Sequence, residues 1–418
     1  MPEQGQRVFS TREAPFFWGW GAAVAFFVLA GSTGVLFRFS YVYGPPWGLT
    51  TTHLRHAHSH LMYFGWVTPA LVALMGARWG AQGHDGAFLT GTARVLKALI
   101  VLSLLVYPPF LLFGYSPAVI GEARIPLSVI VSSLHILVWY AWAFLYWRYT
   151  RGQARRFSQR LWRWALVFLV LASMGAWGRA VLVALKVTSP FWGWAMVHLF
   201  LDEFSFGWLL LAVLGLIYDD QEMAAQEAER QWWSVWPLVV GLPLVFLLTV
   251  PVDLTPIWLR SVATVGGLTV AFALTMHVRL LFRYGRWRLP LALMGIVILG
   301  LVGLTIPPVA RWAEGVGLRI FYLHVLLLGT VSLSLWRGAT LTWGERLGTF
   351  VPWFDSSVIL LLLSLVPLTG LWPQAWRGRW ALELAAWVAL LPVLVALISL
   401  VDMAFTHQLQ EEYGRCHG

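Results

Sequence analysis

Apolar residues run through this chain in long blocks, broken by short polar and charged segments. Twelve blocks can be drawn, at about 16–37, 58–77, 95–115, 126–147, 161–185, 193–217, 235–250, 258–282, 289–307, 318–336, 352–371 and 380–402. Each is of the order of 20 residues, enough for a helix to cross about 30 Å of hydrocarbon. The strict two-residue alternation of a membrane barrel does not recur along the chain, so the pattern predicts an all-α, polytopic membrane protein of twelve helices. No small-residue cleavage site follows the first block, which reads as a retained helix. The connections are short, apart from a basic one (148–163) and an acidic one (218–230), so all 418 residues are expected to form one transmembrane domain, 1–418.

Composition supports that class. Hydrophobic residues make up 59% and charged residues 11% of the chain, and the mean hydropathy of +0.71 lies outside the range of soluble domains. A net charge of +10 suggests nucleic acid until its placement is examined. With the N-terminus inside, 19 of the 29 Lys and Arg fall on the cytoplasmic side, which supports both termini there. The 27 tryptophans cluster toward block ends, as an interfacial belt requires. Cys416 is the one cysteine, so the chain by itself forms no disulfide and attaches no haem covalently.

Candidate chemistry centres on histidine. His53, His56, His58 and His60 fall within eight residues at the mouth of the second block; on a helix His53, His56 and His60 share a face and His58 points elsewhere. Imidazole is costly in lipid but ligates haem iron, copper and zinc, and His60, with His58 next, is the cofactor ligand expected from this cluster. Under the predicted topology His60, His135, His198 and His324 all lie in the outer third to half of the bundle. A short repeat links them: His60-x4-Gly65-Trp66, Asp202-x4-Gly207-Trp208 and His324-x4-Gly329-Thr330, four helices apart each time. This suggests three four-helix units around a centre.

Each candidate has a plainer reading. The His53–His60 cluster could be a wet loop, and His324 or His135 could be satisfied by a neighbouring helix. His198 and Asp202, at i, i+4 with Glu203 adjacent, fit metal ligation, a proton relay or an ion pair with Arg179. His84, His407 and His417 read as solvated and His277 as interfacial. On the outer side Arg377 and Arg379, in Trp376-Arg-Gly-Arg-Trp380, and also Arg55, Arg311 and Arg319, are candidates for holding haem propionates.

These features together resemble the catalytic subunit of the haem–copper oxidase and nitric oxide reductase superfamily. That resemblance implies three four-helix arcs, low-spin haem b held by His60 and His324, propionates on Arg377 and Arg379, and His198 with Asp202 or Glu203, and His135 nearby, at a second metal. Two departures are evident. The seventh block lacks the family's paired histidines, and Tyr322 replaces the first histidine of its His-x-His in helix 10. The stretch His58-Ser-His60-Leu-Met-Tyr-Phe-Gly65 is similar to one in the NnrS-type haem- and copper-containing membrane proteins.

The implied protein is an inner-membrane redox protein handling nitric oxide or oxygen, with electrons from an external cytochrome c or cupredoxin. Asp202 and Glu203 would be its catalytic carboxylates. One haem b is expected, and a second haem, copper or non-haem iron is left open, as is enzymatic turnover. The alternatives are a proton-coupled secondary transporter and a non-catalytic haem scaffold.

Overall fold

A computed structural model describes residues 14–83, 86–151 and 156–417, with the side chains of 345, 346 and 406–417 excepted. His84, His407, Cys416 and His417 lie outside these described residues or side chains. The helices are α1 (Ala14–Tyr43), α2 (Thr51–Ala81), α3 (Gly86–Phe113), α4 (Leu127–Thr150), α5 (Phe157–Ala184), α6 (Pro190–Asp220), α7 (Glu222–Glu229), α8 (Trp236–Thr249), α9 (Ile257–Phe282), α10 (Arg288–Leu304), α11 (Pro307–Gly315), α12 (Leu318–Trp343), α13 (Val351–Leu368) and α14 (Arg379–Phe405). Ten are long and apolar enough to cross a membrane, or eleven if α10 and α11, bent by 112° at their junction, count as one. The chain is therefore a polytopic helical membrane protein.

All twelve apolar blocks are helical, but two fall short of the expected length. The seventh forms α8, only 14 residues long. The ninth forms α10, which ends before Pro307, where α11 begins in a new direction. Proline fixes its own φ and disfavours a helical residue before it, so Pro307 suits the first position of a new helix better than the interior of an old one.

The chain divides into two compact units, each discontinuous in sequence. The first comprises Met1–Val138, Leu335–Ser364 and Arg377–Gly418, and the second Trp139–Ser334 and Leu365–Trp376. In the first unit α1 packs against α2, α3 and α14. Its core holds Trp20 against Trp66 at 5.4 Å and Trp336 stacked on Phe354 at 4.3 Å. Nine tryptophans, these three among them, are fully buried, so the expected belt accounts for only part of the 27. A β-hairpin, β1 (Ala118–Ile120) and β2 (Ala123–Ile125), joins α3 to α4. Gly121, with φ +62°, takes the first position of its two-residue turn, where a left-handed backbone is required.

In the second unit α5 packs on α6, α8 on α9, and α9 on α10. The acidic connection is helical rather than a loop. As α7 it brings Glu229 to Arg160 at 2.8 Å and Glu227 to Arg283 at 3.1 Å, while Asp220 accepts from Trp287 at 3.0 Å. The acidic connection is thus paired with Arg160 at the start of α5 and with Arg283 just past the end of α9. Arg260, buried, donates to the carbonyls of Leu248 and Leu304. One cation thus sits at the C-terminal ends of both α8 and α10, where helix dipoles favour positive charge.

Candidate functional site

The histidine cluster of the first unit lies entirely within α2. Thr50 caps this helix, its hydroxyl accepting from His53 N at 3.1 Å. His56 and His60 both face Tyr115, with ring centroids 4.8 and 5.6 Å away. The His53 ring lies over Gly114, whose φ of +57° and lack of a side chain permit the approach. His58 turns the other way, its Nδ1 2.7 Å from the Ala30 carbonyl and its ring against Gly34 of α1.

His60 Nδ1 lies 2.9 Å from the His56 carbonyl, one turn back. A carbonyl only accepts, so Nδ1 carries the proton and Nε2 keeps its lone pair. That lone pair meets the Tyr115 hydroxyl at 2.9 Å, and the ring stacks on Phe110 at 3.7 Å. His324 repeats the arrangement in the second unit, with Nδ1 2.7 Å from the carbonyl of Ile320, again four residues back. In both rings Nδ1 is thus committed to a backbone carbonyl, the arrangement that orients a metal-binding imidazole. His135, in the first unit, is buried with Nε2 3.3 Å from Ser103 Oγ and stacks on Phe64 at 4.9 Å.

The second unit gathers the other polar group. His198 and Asp202 are buried on α6, with Nδ1 3.2 Å from Oδ2, and the Thr249 hydroxyl donates to the same carboxylate. Arg319 of α12, not Arg179, is the cation on this pair: its Nη1 lies 2.8 Å from His198 Nε2 and its Nη2 3.0 Å from Nδ1. Arginine has no acceptor, so the guanidinium donates to the ring, and His198 Nδ1 lies between it and the Asp202 carboxylate. Next to them Glu203 is 1% exposed, and neither carboxylate oxygen has a hydrogen-bond partner. Arg319, a propionate candidate by its place on the outer side, meets His198 here; nothing in its local sequence marks it as that partner.

Arg377 and Arg379 lie on the surface of the first unit. Arg379 Nε donates to Glu383 at 2.8 Å and its guanidinium lies 5.1 Å over the Tyr43 ring. Arg311 pairs with Asp253 at 2.9 Å. His277, expected at the interface, is fully buried instead, bonded to Tyr218 Oη at 2.7 Å and to the Ser234 carbonyl at 2.6 Å. Among the described residues no three His, Cys, Asp or Glu converge as a metal centre requires.

The sequence repeat has a backbone counterpart. α2, α6 and α12 each widen into a π-helical stretch, at Met62–Val67, Glu203–Leu210 and Val325–Ser332. Each begins one or two residues after His60, Asp202 or His324. In π geometry the carbonyl five residues back comes under a side chain, and Thr68 bonds Tyr63 O at 2.9 Å as Ser332 bonds Leu327 O at 2.8 Å. Such stretches are rare and concentrate at functional sites. α2 and α6 are also the most enclosed helices, with 89% of their apolar stretches buried.

The repeat reaches further than these motifs. Trp20, Ala23, Phe26 and Ala30 of α1 recur 142 residues on as Trp162, Ala165, Phe168 and Ala172 of α5, and His56 recurs as His198. Packing recurs as well. A Cβ on Gly65 would lie 3.0 Å from Phe26, and one on Gly207 would lie 2.5 Å from Phe168. In both helix pairs a phenylalanine of the first helix fills the space left by the glycine of the π stretch. These features define a multi-pass helical membrane protein with buried titratable groups beside π-helical breaks. No protein-family model and no curated protein matches the chain.

Proposed function

We propose that the protein binds haem b through Nε2 of His60 and of His324 and serves electron transfer or the handling of nitric oxide or oxygen. It would do so as a divergent twelve-span relative of the haem–copper oxidase and nitric oxide reductase superfamily, in the inner membrane. The observation that supports this reading most is the shared tautomer of the two histidines, each with Nδ1 on the carbonyl four residues back and each next to a π-helical stretch. Haem, when bound, supplies reversible one-electron chemistry at iron. His60, whose Nε2 now meets the Tyr115 hydroxyl, would hold the iron, and Arg377 and Arg379, the latter now paired with Glu383, would face the propionates. Electrons come from an external cytochrome c or cupredoxin.

His198, Asp202 and Glu203 carry the proton side of the chemistry in this reading. Arg319 on Nε2 places a cation where a copper or non-haem iron would otherwise bind, which favours a proton over a metal. Glu203, buried with no donor, takes up the proton, and Asp202 is held by Thr249 and His198. Reduction of a gas would need a second, open site, and this is the point on which enzymatic turnover depends.

A proton-coupled transporter is the second reading. The π-interrupted α6 carrying Asp202 and Glu203, and the sharp α10–α11 bend, favour it. The absorption spectrum of the purified protein decides between the two: a reduced b-type α-band supports haem, and a colourless protein supports transport.

A further inference from the structure

We infer that the second unit carries a binding site for one anionic phospholipid, in a groove at the ends of α4, α5 and α8. The groove has a volume of about 290 Å³ and is lined by Trp147, Arg160, Arg163, Trp164, Val167 and Trp236. Those residues stand at the last turn of α4, in the first three turns of α5 and at the start of α8, so the ends of three apolar helices meet around it.

The floor and walls are apolar and aromatic, with Trp164 edge-on to Trp236 at 6.1 Å. Trp147 is 45% and Trp236 62% exposed. Large indole surfaces left open at a helix end suit the headgroup–acyl boundary, where tryptophan concentrates in membrane proteins. The rim is cationic. Arg163 lies 3.8 Å over the Trp147 ring, a cation–π contact that holds its guanidinium at the groove. Arg160 stands beside it, held on its other side by the half-exposed Glu229.

An apolar trough with two planar guanidinium groups at one edge is complementary to a phosphodiester carrying acyl chains. The guanidinium groups take the phosphate oxygens in forked hydrogen bonds, and the indoles pack along the glycerol and first methylenes. Arg148, Arg151 and Arg156, in the same connection, add long-range attraction for an anionic leaflet but do not line the groove. A zwitterionic lipid offers the same phosphate but brings its own cation against Arg160 and Arg163. A free phosphate leaves the apolar trough uncovered.

Native mass spectrometry of the full chain, exchanged into phosphatidylglycerol or phosphatidylcholine, tests the site. The expected result is retention of one phosphatidylglycerol, with retention lowered by about an order of magnitude in Arg160→Gln/Arg163→Gln, the effect of removing two headgroup-facing cations. Arg148→Gln/Arg151→Gln should keep it. Trp236→Ala, at a largely exposed ring, should weaken retention while leaving elution and helix content unchanged, and it keeps the test decisive if the double variant fails to fold. Equal retention by the Arg160/Arg163 variant, or by Trp236→Ala when that double variant is unfolded, would overturn the proposal. Equal retention of phosphatidylcholine, or equal loss in Arg148→Gln/Arg151→Gln, would do the same. So would thermal stabilisation by inorganic phosphate alone that matches the lipid, since the ligand would then be the free anion.

Discussion

Arg319 Nη1 lies 2.8 Å from His198 Nε2, while the other ring nitrogen of His198 faces both Arg319 Nη2, at 3.0 Å, and Asp202, at 3.2 Å. A guanidinium, an imidazole and a carboxylate thus form one cluster within the second unit, joined by the Thr249 hydroxyl. Arg319→Met should leave His198 Nε2 buried without a donor and Asp202 without a nearby cation. Loss of a buried partner of this kind costs about 1–3 kcal/mol. Thermal unfolding in detergent should show a clearly lowered midpoint, with Arg319→Lys falling between Arg319→Met and wild type because the ammonium lacks the planar fork. A midpoint unchanged in Arg319→Met would remove Arg319 from the site.

Glu203, with both oxygens unpartnered, is assigned the proton. Infrared spectra of the purified protein should contain a protonated-carboxyl stretch that disappears in Glu203→Gln and persists in Asp202→Asn. If the band is absent from wild type, or survives Glu203→Gln, the assignment fails.

The Phe168–Gly207 contact leaves no space for a methyl group. Gly207→Ala should destabilise by about 1–3 kcal/mol through overpacking, and Phe168→Leu in the same chain should restore part of the loss. Gly65→Ala, against Phe26, should behave alike, because the packing recurs. Thermal midpoints of the three variants check this, and a neutral Gly207→Ala would contradict the geometry.

Arg260 serves two helix ends at once. Arg260→Met should free the Leu248 and Leu304 carbonyls, at about 1.5–3 kcal/mol for a charged donor. Amide hydrogen exchange should rise at the C-terminal turns of both α8 and α10. Faster exchange confined to one helix would mean that only one of the two bonds matters.

The helical, membrane-crossing class was legible because length and hydropathy settle it: a run of about 20 apolar residues has few other stable fates. The placement of His56, His58 and His60 on two faces followed from 3.6-residue periodicity. Other features had no local signal. The π-helical stretches add a residue to a turn without a fixed composition, although the glycine in each repeat marked where they fall. The α10–α11 bend needed Pro307 to be read as a start rather than an interruption. Arg319 meets His198 across 121 residues, a distance at which spacing arguments carry nothing. The helix-pair repeat was present in the sequence at a constant interval of 142, but its meaning rests on Phe26 and Phe168 filling matching spaces over Gly65 and Gly207.

The most direct test of the redox reading is the reduced-minus-oxidised spectrum of the purified chain beside His60→Ala, His324→Ala and Tyr115→Phe. The account predicts a low-spin b-type haem in wild type, lost or converted to high spin in either histidine variant and retained in Tyr115→Phe, which removes only the hydroxyl that a bound iron would displace. A colourless wild-type protein, or a haem spectrum that neither histidine variant disturbs, would contradict it.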